Sequence, residues 1–267
     1  MTSRHFGLFI VGDEILSGKR EDRHFAQVKS ILASRGLALS WVHYLGDDRS
    51  RCVRALRESF ASRDVVFSCG GIGSTPDDHT RQAAAEALGL PLALHPQAAD
   101  FIRQRATDSG QPLTPERLRM AEFVQGAAII PNPYNKIAGF SIREHYFVPG
   151  FPVMAWPMIE WVLETYYRDQ FRAAAELDHS MIVLGLYEAT VTPLMQSLVE
   201  RYPELKFYSL PSAGEDGKPR HVELGIKVAM TPGASEAPEA FNRAYEEFKV
   251  GVIALGGIIS EEHQSRR

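Results

Sequence analysis

Two textures of apolar and polar residues alternate along the first half of the chain. Phe6 to Val11, Ala38 to Tyr44 and Asp64 to Ser68 are apolar runs of strand length, each followed by apolar residues at helical spacing. Phe25, Val28, Ile31 and Leu32 mark one helical face, closed by Gly36. Val53, Leu56 and Phe60 mark a second, and Thr80 to Leu88 a third, stopped by Gly89. Strand and helix in alternation predict a parallel sheet wrapped by helices. Two more helices, Gln97 to Thr107 and Pro115 to Phe123, precede short strands at Ala128 to Ile130, Gly139 to Ile142 and Tyr146 to Val148. A long aromatic helix, Met154 to Arg168, then closes this part.

Beyond residue 178 the order becomes βαββα. It comprises a strand at Met181 to Leu186, a helix whose apolar face includes Val191, Leu194 and Leu198, strands around Lys206 to Leu210 and Val222 to Val228, and a helix carrying Phe241, Ala244, Tyr245 and Phe248. The expected organisation is a three-layer α/β domain over residues 1–170 and a small α+β domain over 178–255. Ser212 to Arg220 reads as an exposed loop, and residues 256–267 as a flexible tail. A core of about 80 residues sits near the lower bound for independent folding, so a homo-oligomer is expected, with a dimer the simplest case.

Composition narrows the class by exclusion. The 267 residues are 45% hydrophobic and 23% charged with a net charge of -4, so no basic surplus invites nucleic acid. No apolar run nears the roughly 18 residues of a membrane span, and the N-terminus lacks the pattern of a signal peptide. A cytoplasmic location without membrane association is expected. Cys52 and Cys69 are too few for a disulfide framework, and Cys69 reads as a small residue closing a buried strand rather than a nucleophile.

The chemistry concentrates at strand ends. Each of the first three strands runs into glycine and acid: Gly12-Asp13-Glu14, Gly46-Asp47-Asp48, and the long run from Cys69-Gly70-Gly71-Ile72-Gly73 through Ser74-Thr75-Pro76-Asp77-Asp78. Ligands of open α/β sheets bind at such ends, where glycines admit bare backbone and helix amides favour negative charge. A phosphorylated small molecule is the first expectation. Asp77 and Asp78 would repel it unless a divalent cation such as Mg²⁺ or Co²⁺ bridges them, or unless they face a hydroxyl or amino group. A purely local reading makes Thr75 the helix cap, Pro76 its first residue and Asp78 the third position of a capping box. Gly12 to Lys19 is not a Walker A loop: five residues separate Gly12 from Gly18 where that motif has four, and Arg20 stands in place of its Ser or Thr. Lys19 and Lys136 are candidates for countercharge to phosphate.

Taken together, Gly12 to Gly18, Gly46-Asp47-Asp48, Gly70 to Asp78, Pro131-Asn132-Pro133 and Pro149-Gly150-Phe151-Pro152 resemble the molybdopterin-binding domain shared by MoaB and MogA. Within that family the resemblance is nearest to the N-terminal portion of CinA, the competence/damage-inducible protein. It covers about residues 5–168, and residues 180–252 are similar to the small second domain of that portion. No segment is expected to match the nicotinamide mononucleotide deamidase domain of many CinA proteins.

The resemblance implies a three-layer fold whose loop, at Gly70, Gly71, Gly73, Ser74 and Thr75, holds the phosphate of molybdopterin or of an adenosine nucleotide. Asp13, Glu14, Asn132 and Lys136 share its motifs and complete the expected binding set. Aspartates assist adenylyl transfer in Mog-type proteins, which carries over to Asp78 first and to Asp48 or Asp47 second. CinA-like domains are also linked to metal-dependent hydrolysis of ADP-ribose, with Asp77 and Asp78 as the candidate metal ligands. A non-catalytic ligand-sensing module is the third alternative. Where the family has Pro-Asn-Pro-x-Gly-x-Ala-Pro-Gly, this chain has Pro131 to Gly139 with Tyr134, Asn135 and Lys136 in the turn, and Asn135 is expected to take the glycine's left-handed geometry.

Overall fold

A computed structural model of the chain describes residues 4–171, 176–214, 219–230 and 237–266. It divides into two units, Met1–Phe171 and Arg172–Arg267. The first unit opens with β1 (Phe6–Val11), α1 (Asp13–Leu16), α2 (His24–Ala33), β2 (Leu39–Leu45), α3 (Arg49–Ala61), β3 (Val65–Cys69) and α4 (Thr80–Leu88). β4 (Leu92–Leu94), α5 (Pro96–Ser109), α6 (Pro115–Arg119), β5 (Glu122–Val124), β6 (Ala128–Ile130), β7 (Gly139–Ile142), β8 (His145–Val148) and α7 (Pro152–Tyr166) follow.

Its main sheet has the order β2-β1-β3-β8-β7-β6. β1 runs parallel to both β2 and β3, and β3 parallel to β8, whereas β7 is antiparallel to its two neighbours. Every residue of β1 and β3 is buried, which explains why they read as unbroken apolar runs rather than alternating ones. One face packs Phe9, Val66 and Phe147 against α3, α4 and α5; the other packs Leu8, Ile10 and Phe67 against α2 and α7. This makes a three-layer α/β fold. The parallel strands β1, β2 and β3 all deliver their carboxyl ends to the same edge.

A buried polar pair crosses the first layer. Ser59 of α3 meets His145 Nε2 at 2.7 Å, and the other ring nitrogen, Nδ1, lies 2.8 Å from the Arg143 carbonyl. A carbonyl oxygen only accepts, so Nδ1 carries the proton and Nε2 accepts from the Ser59 hydroxyl. Burial lowers the His145 imidazole to about 4.

Two expected boundaries move. The helix predicted over Pro115 to Phe123 stops at Arg119, because Glu122–Val124 pairs with β4 as an antiparallel strand and Phe123 stacks on Phe140 at 4.9 Å. A short apolar run suits a buried strand as well as a helix, and tertiary pairing decides. The cap that a purely local reading places at Thr75 moves to His79: α4 spans Thr80–Leu88, as its apolar spacing predicts, and has no side-chain cap bond. Thr75 and Asp78 instead bond to each other within the preceding loop.

The second unit contains β9 (Glu176–Leu184), α8 (Glu188–Arg201), β10 (Lys206–Ser212), β11 (His221–Ala229), α9 (Glu239–Ala254) and β12 (Ile258–Arg266). They form an antiparallel sheet in the order β10-β11-β9-β12, with α8 and α9 packed on one face through Val191, Leu198, Phe241 and Phe248. The expected flexible tail over 256–267 is corrected here. Its polar residues build edge strand β12, aligned with β9 from Ile258 opposite Leu184 to Arg266 opposite Leu177. Glu262 accepts from the Tyr245 hydroxyl and pairs with Lys249 of α9. Polar, charged residues suit a strand whose outer edge faces water, and so its sequence reads as a tail. Of the loop predicted at Ser212 to Arg220, residues 215–218 lie outside the described residues.

Candidate functional site

Past β3 the backbone turns through Gly70 (φ 108) and Gly71 (φ 69), both in the left-handed range. A Cβ on Gly70 would stand 2.2 Å from the Val11 carbonyl oxygen, and one on Gly71 2.1 Å from Thr80 Oγ1, so both positions require glycine. The carbonyls that follow are held in a row. Thr80 donates from Oγ1 to Gly70 O (3.1 Å) and from its amide to Gly71 O (3.0 Å). Arg81 donates from Nη1 to Ile72 O and from Nη2 to Gly73 O, both at 2.6 Å.

Four successive carbonyls are thus tied to two adjacent residues of α4. Each peptide is planar and trans, so its N–H points opposite to its C=O. The amides of Gly71, Ile72, Gly73 and Ser74 are therefore turned away from the start of α4. Gly73 donates to Asp78 Oδ1 at 2.9 Å, and no described protein group accepts from the other three. Asp78 Oδ2 accepts from the Thr75 amide at 2.8 Å and also from the Thr75 hydroxyl.

A cavity of about 430 Å³ lies against this loop. Gly70 to Thr75, Asp77 and Asp78 form one wall; Gly12, Glu14 and Arg20 come from the segment between β1 and α2, and Asp47 from the end of β2; Met120, Ile137, Phe151 and Met154 supply apolar surface. The turn from β8 to α7 approaches closely, since a Cβ on Gly150 would lie 3.4 Å from Gly70 Cα.

The expected residues divide. Gly70, Gly71, Gly73, Ser74, Thr75, Glu14, Asp47, Asp77 and Asp78 all line the cavity. Asp13 does not. It bonds reciprocally with Asp47, its amide to Asp47 Oδ2 at 2.9 Å and its Oδ1 from the Asp47 amide at 3.1 Å, which joins the ends of β1 and β2. Its side chain faces a neighbouring hollow shared with Lys19, Asp47 and Asp77.

Asp48, a catalytic candidate, is instead the cap of α3, accepting from the Arg51 amide at 2.8 Å and the Ser50 hydroxyl at 2.6 Å. The bond from Ser50 holds its carboxyl below the usual range. Asn132 is buried and builds its own turn, donating to Asn135 Oδ1 and Ile137 O while accepting from the Tyr134 amide. Lys136 lines a separate hollow with Arg105 and Tyr134, and it, not Asn135, carries the left-handed φ of 63. Together with Ile137, Asn135 reaches the main cavity from this turn. Asn135 Oδ1 accepts from the Ile137 amide, an Asx turn that fixes the loop without a glycine.

The metal expectation at Asp77 and Asp78 finds no ready-made cluster. Among the described residues no three His, Cys, Asp or Glu are grouped to hold an ion, and both Asp78 oxygens are engaged by the loop. Burial raises the Asp47 carboxyl above its ordinary value; the bond from the Asp13 amide opposes this, while the negative charges of Asp13, Glu14 and Asp77 push the same way as burial. Burial also drives both thiols up, Cys52 to about 11 and Cys69 further, which leaves neither poised as a nucleophile.

Sequence reasoning missed Arg20 and Arg81. Arg81 is 3% exposed, and burial lowers its guanidinium below the usual value. The one signal available was its place in the first turn of a helix, where a positive charge opposes the dipole.

Against known proteins, the family model described as "Probable molybdopterin binding domain" matches residues 7–169. A protein of Pyrobaculum arsenaticum is 28% identical over 247 residues, 91% of this chain and 92% of that protein. The CinA-like protein of Myxococcus xanthus is 29% identical over 244 residues, 87% of this chain, which spans 56% of that relative's length. The crystal structure of the CinA protein of unknown function from Thermoplasma acidophilum superposes with a TM-score of 0.55 at 25% identity, over 60% of this chain and 98% of that one. The matched segment runs from β1 through the glycine loop to α7, more than half of the sequence, and the chain belongs to the molybdopterin-binding domain family.

Proposed function

We propose that the cavity binds the phosphate of a phosphorylated pterin of the molybdopterin type, or of an adenosine nucleotide, with the glycine-loop amides as the anion receptor. Membership of the family supports ligand binding and a role of the molybdenum-cofactor-biosynthesis kind. The observation that carries the finer reading is the row of amides. Gly71, Ile72 and Ser74 have N–H groups without a described protein acceptor, on loop residues that line the cavity. Amide bonds to an ionised oxygen are roughly twice as strong as neutral ones. Arg20 on the cavity wall adds a cation, and the apolar surface of Met120, Ile137, Phe151 and Met154 suits a flat heterocycle.

Adenylyl transfer fits this arrangement. An oxygen of the bound phosphate would attack the α-phosphorus of a nucleoside triphosphate, forming a P–O–P link and releasing pyrophosphate. The loop fixes the attacking group. Glu14, Asp47 and Asp77 stand on the cavity wall, where they can face the hydroxyls or the accompanying cation of the second reactant.

A second reading, metal-dependent hydrolysis of ADP-ribose-like dinucleotides, is favoured by one observation. Burial raises the Asp47 carboxyl above its ordinary value against the bond from the Asp13 amide, and the negative charges of Asp13, Glu14 and Asp77 crowd it, a field that a divalent cation would relieve. The cation would then be held jointly by these acids and the substrate phosphates.

Thermal shift with a phosphorylated pterin and with ADP-ribose, each with and without Mg²⁺ or Co²⁺, tests both. Binding should raise the melting temperature with the logarithm of ligand excess, and Gly71→Val should remove the effect. Hydrolysis of ADP-ribose that needs the metal would favour the second reading over the first. If neither ligand shifts the melting temperature under any of these conditions, both readings fail.

A further inference from the structure

We propose that Arg81 is a positioning residue of the anion receptor: it does not touch the ligand, but it aims the Ser74 amide at the ligand's anionic group. The inference rests on the reading of the glycine loop given above. Arg81 is 3% exposed and is not among the residues that line the cavity, so direct contact with a ligand there is excluded by its position. Its two terminal nitrogens bond to the carbonyls of consecutive residues, Ile72 and Gly73, both at 2.6 Å. A planar fork spans two such acceptors at fixed separation, which a single ammonium does not reproduce.

The peptide planes say where the effect goes. In the plane joining Ile72 to Gly73, the N–H opposite the held carbonyl is already taken by Asp78. In the plane joining Gly73 to Ser74, the N–H opposite the held carbonyl has no described acceptor, and Ser74 lines the cavity. The amides of Gly71 and Ile72 belong to planes held by Thr80 instead. What Arg81 contributes to ligand binding therefore passes through Ser74 alone. Its remaining nitrogen, Nε, is buried without a partner. Two loop carbonyls are thus the whole of the guanidinium's direct hydrogen bonding among the described residues.

The test follows the amide resonances of Gly71, Ile72 and Ser74 in the ¹⁵N-labelled full chain during titration with inorganic pyrophosphate. In the wild type all three should shift along one binding curve. In Arg81→Met the Ser74 shift should disappear while Gly71 and Ile72 still move, with affinity weakened roughly ten- to thirtyfold. Arg81→Lys keeps the charge but not the fork, and should show the same selective loss at Ser74. It decides the matter if Arg81→Met does not fold. Unchanged affinity and an unchanged Ser74 shift in either folded variant would overturn the proposal. So would a uniform loss at all three amides, which is the mark of a collapsed loop. A wild type whose loop amides ignore pyrophosphate would instead defeat the anion-receptor reading itself, and this inference with it.

Discussion

Arg81 and Asp78 grip opposite ends of a single peptide group. The Ile72 carbonyl accepts from Arg81 Nη1 at 2.6 Å, and the Gly73 amide of the same plane donates to Asp78 Oδ1 at 2.9 Å. The loop is therefore braced by a buried cation on one side and a half-buried carboxylate on the other. Asp78, the first sequence-based choice for a catalytic acid, is a builder of the loop.

That role makes Asp78→Ala a stability variant as well as a binding one. It leaves the Gly73 and Thr75 amides without their acceptor and should lower unfolding free energy by about 1–3 kcal/mol, measured by urea denaturation. Asp78→Asn keeps one acceptor oxygen and should lose less. Equal stability of Asp78→Ala and wild type would show that the bracing is absent in solution.

Gly70→Ala should do more damage than its single methyl suggests. The added Cβ would meet the Val11 carbonyl oxygen at 2.2 Å at a residue with φ 108, and neither backbone can yield without moving β1. The expected loss is about 2 kcal/mol or more, with the phosphate-dependent thermal shift abolished. Gly89→Ala is the comparison, because no atom lies within 4 Å of its added Cβ although its φ of 66 is also left-handed. It should lose only about 1 kcal/mol and bind normally.

The Ser59–His145 pair sets a pH dependence. His145 is lowered from 6.5 to about 4 in the folded chain, so the unfolded chain binds more protons between those values. Stability from this group is complete above the unfolded pKa and is lost as pH falls toward the folded one. Between pH 7 and pH 5 it should amount to about 2 kcal/mol. Urea midpoints of the wild type should fall over that interval more steeply than those of His145→Asn, and parallel slopes would refute the assignment.

Asp47 has the opposite sign. Its carboxyl is raised by burial, with the charges of Asp13, Glu14 and Asp77 adding to the effect and the bond from the Asp13 amide opposing it, so ionisation is disfavoured in the folded state. Its contribution is most favourable below the unfolded pKa and declines as pH rises through the folded one. Asp47→Asn keeps an oxygen for the Asp13 amide and should therefore raise the melting temperature at pH 7, with the gain vanishing near pH 3. A lower melting temperature at pH 7 would show that an ionised Asp47 is needed for the fold.

The layered architecture was legible because hydrophobic periodicity is a local property. The bounds of β1, β6 and β7 follow directly from their apolar runs, and the strand-end position of the glycine loop follows from β3. β12 was not legible, since Ser260 to Arg266 reveals its strand only through pairing with β9 more than 70 residues earlier. The same limit hid the roles of Asp48, Asn132 and Lys136, whose residue types suit a ligand site and a turn equally well.

By itself, then, the order of residues determined most strands and helices of the layered first unit, and that three strands end in glycine and acid at one edge of a sheet. Those features depend on neighbours in sequence. Tertiary structure decided which acids line the cavity, that Asp78 braces the loop, that Arg81 lies buried behind it, and that Ser59 finds His145 across 86 positions. A polar side chain chooses its partner only after distant segments are brought together, because desolvation then makes one particular hydrogen bond obligatory.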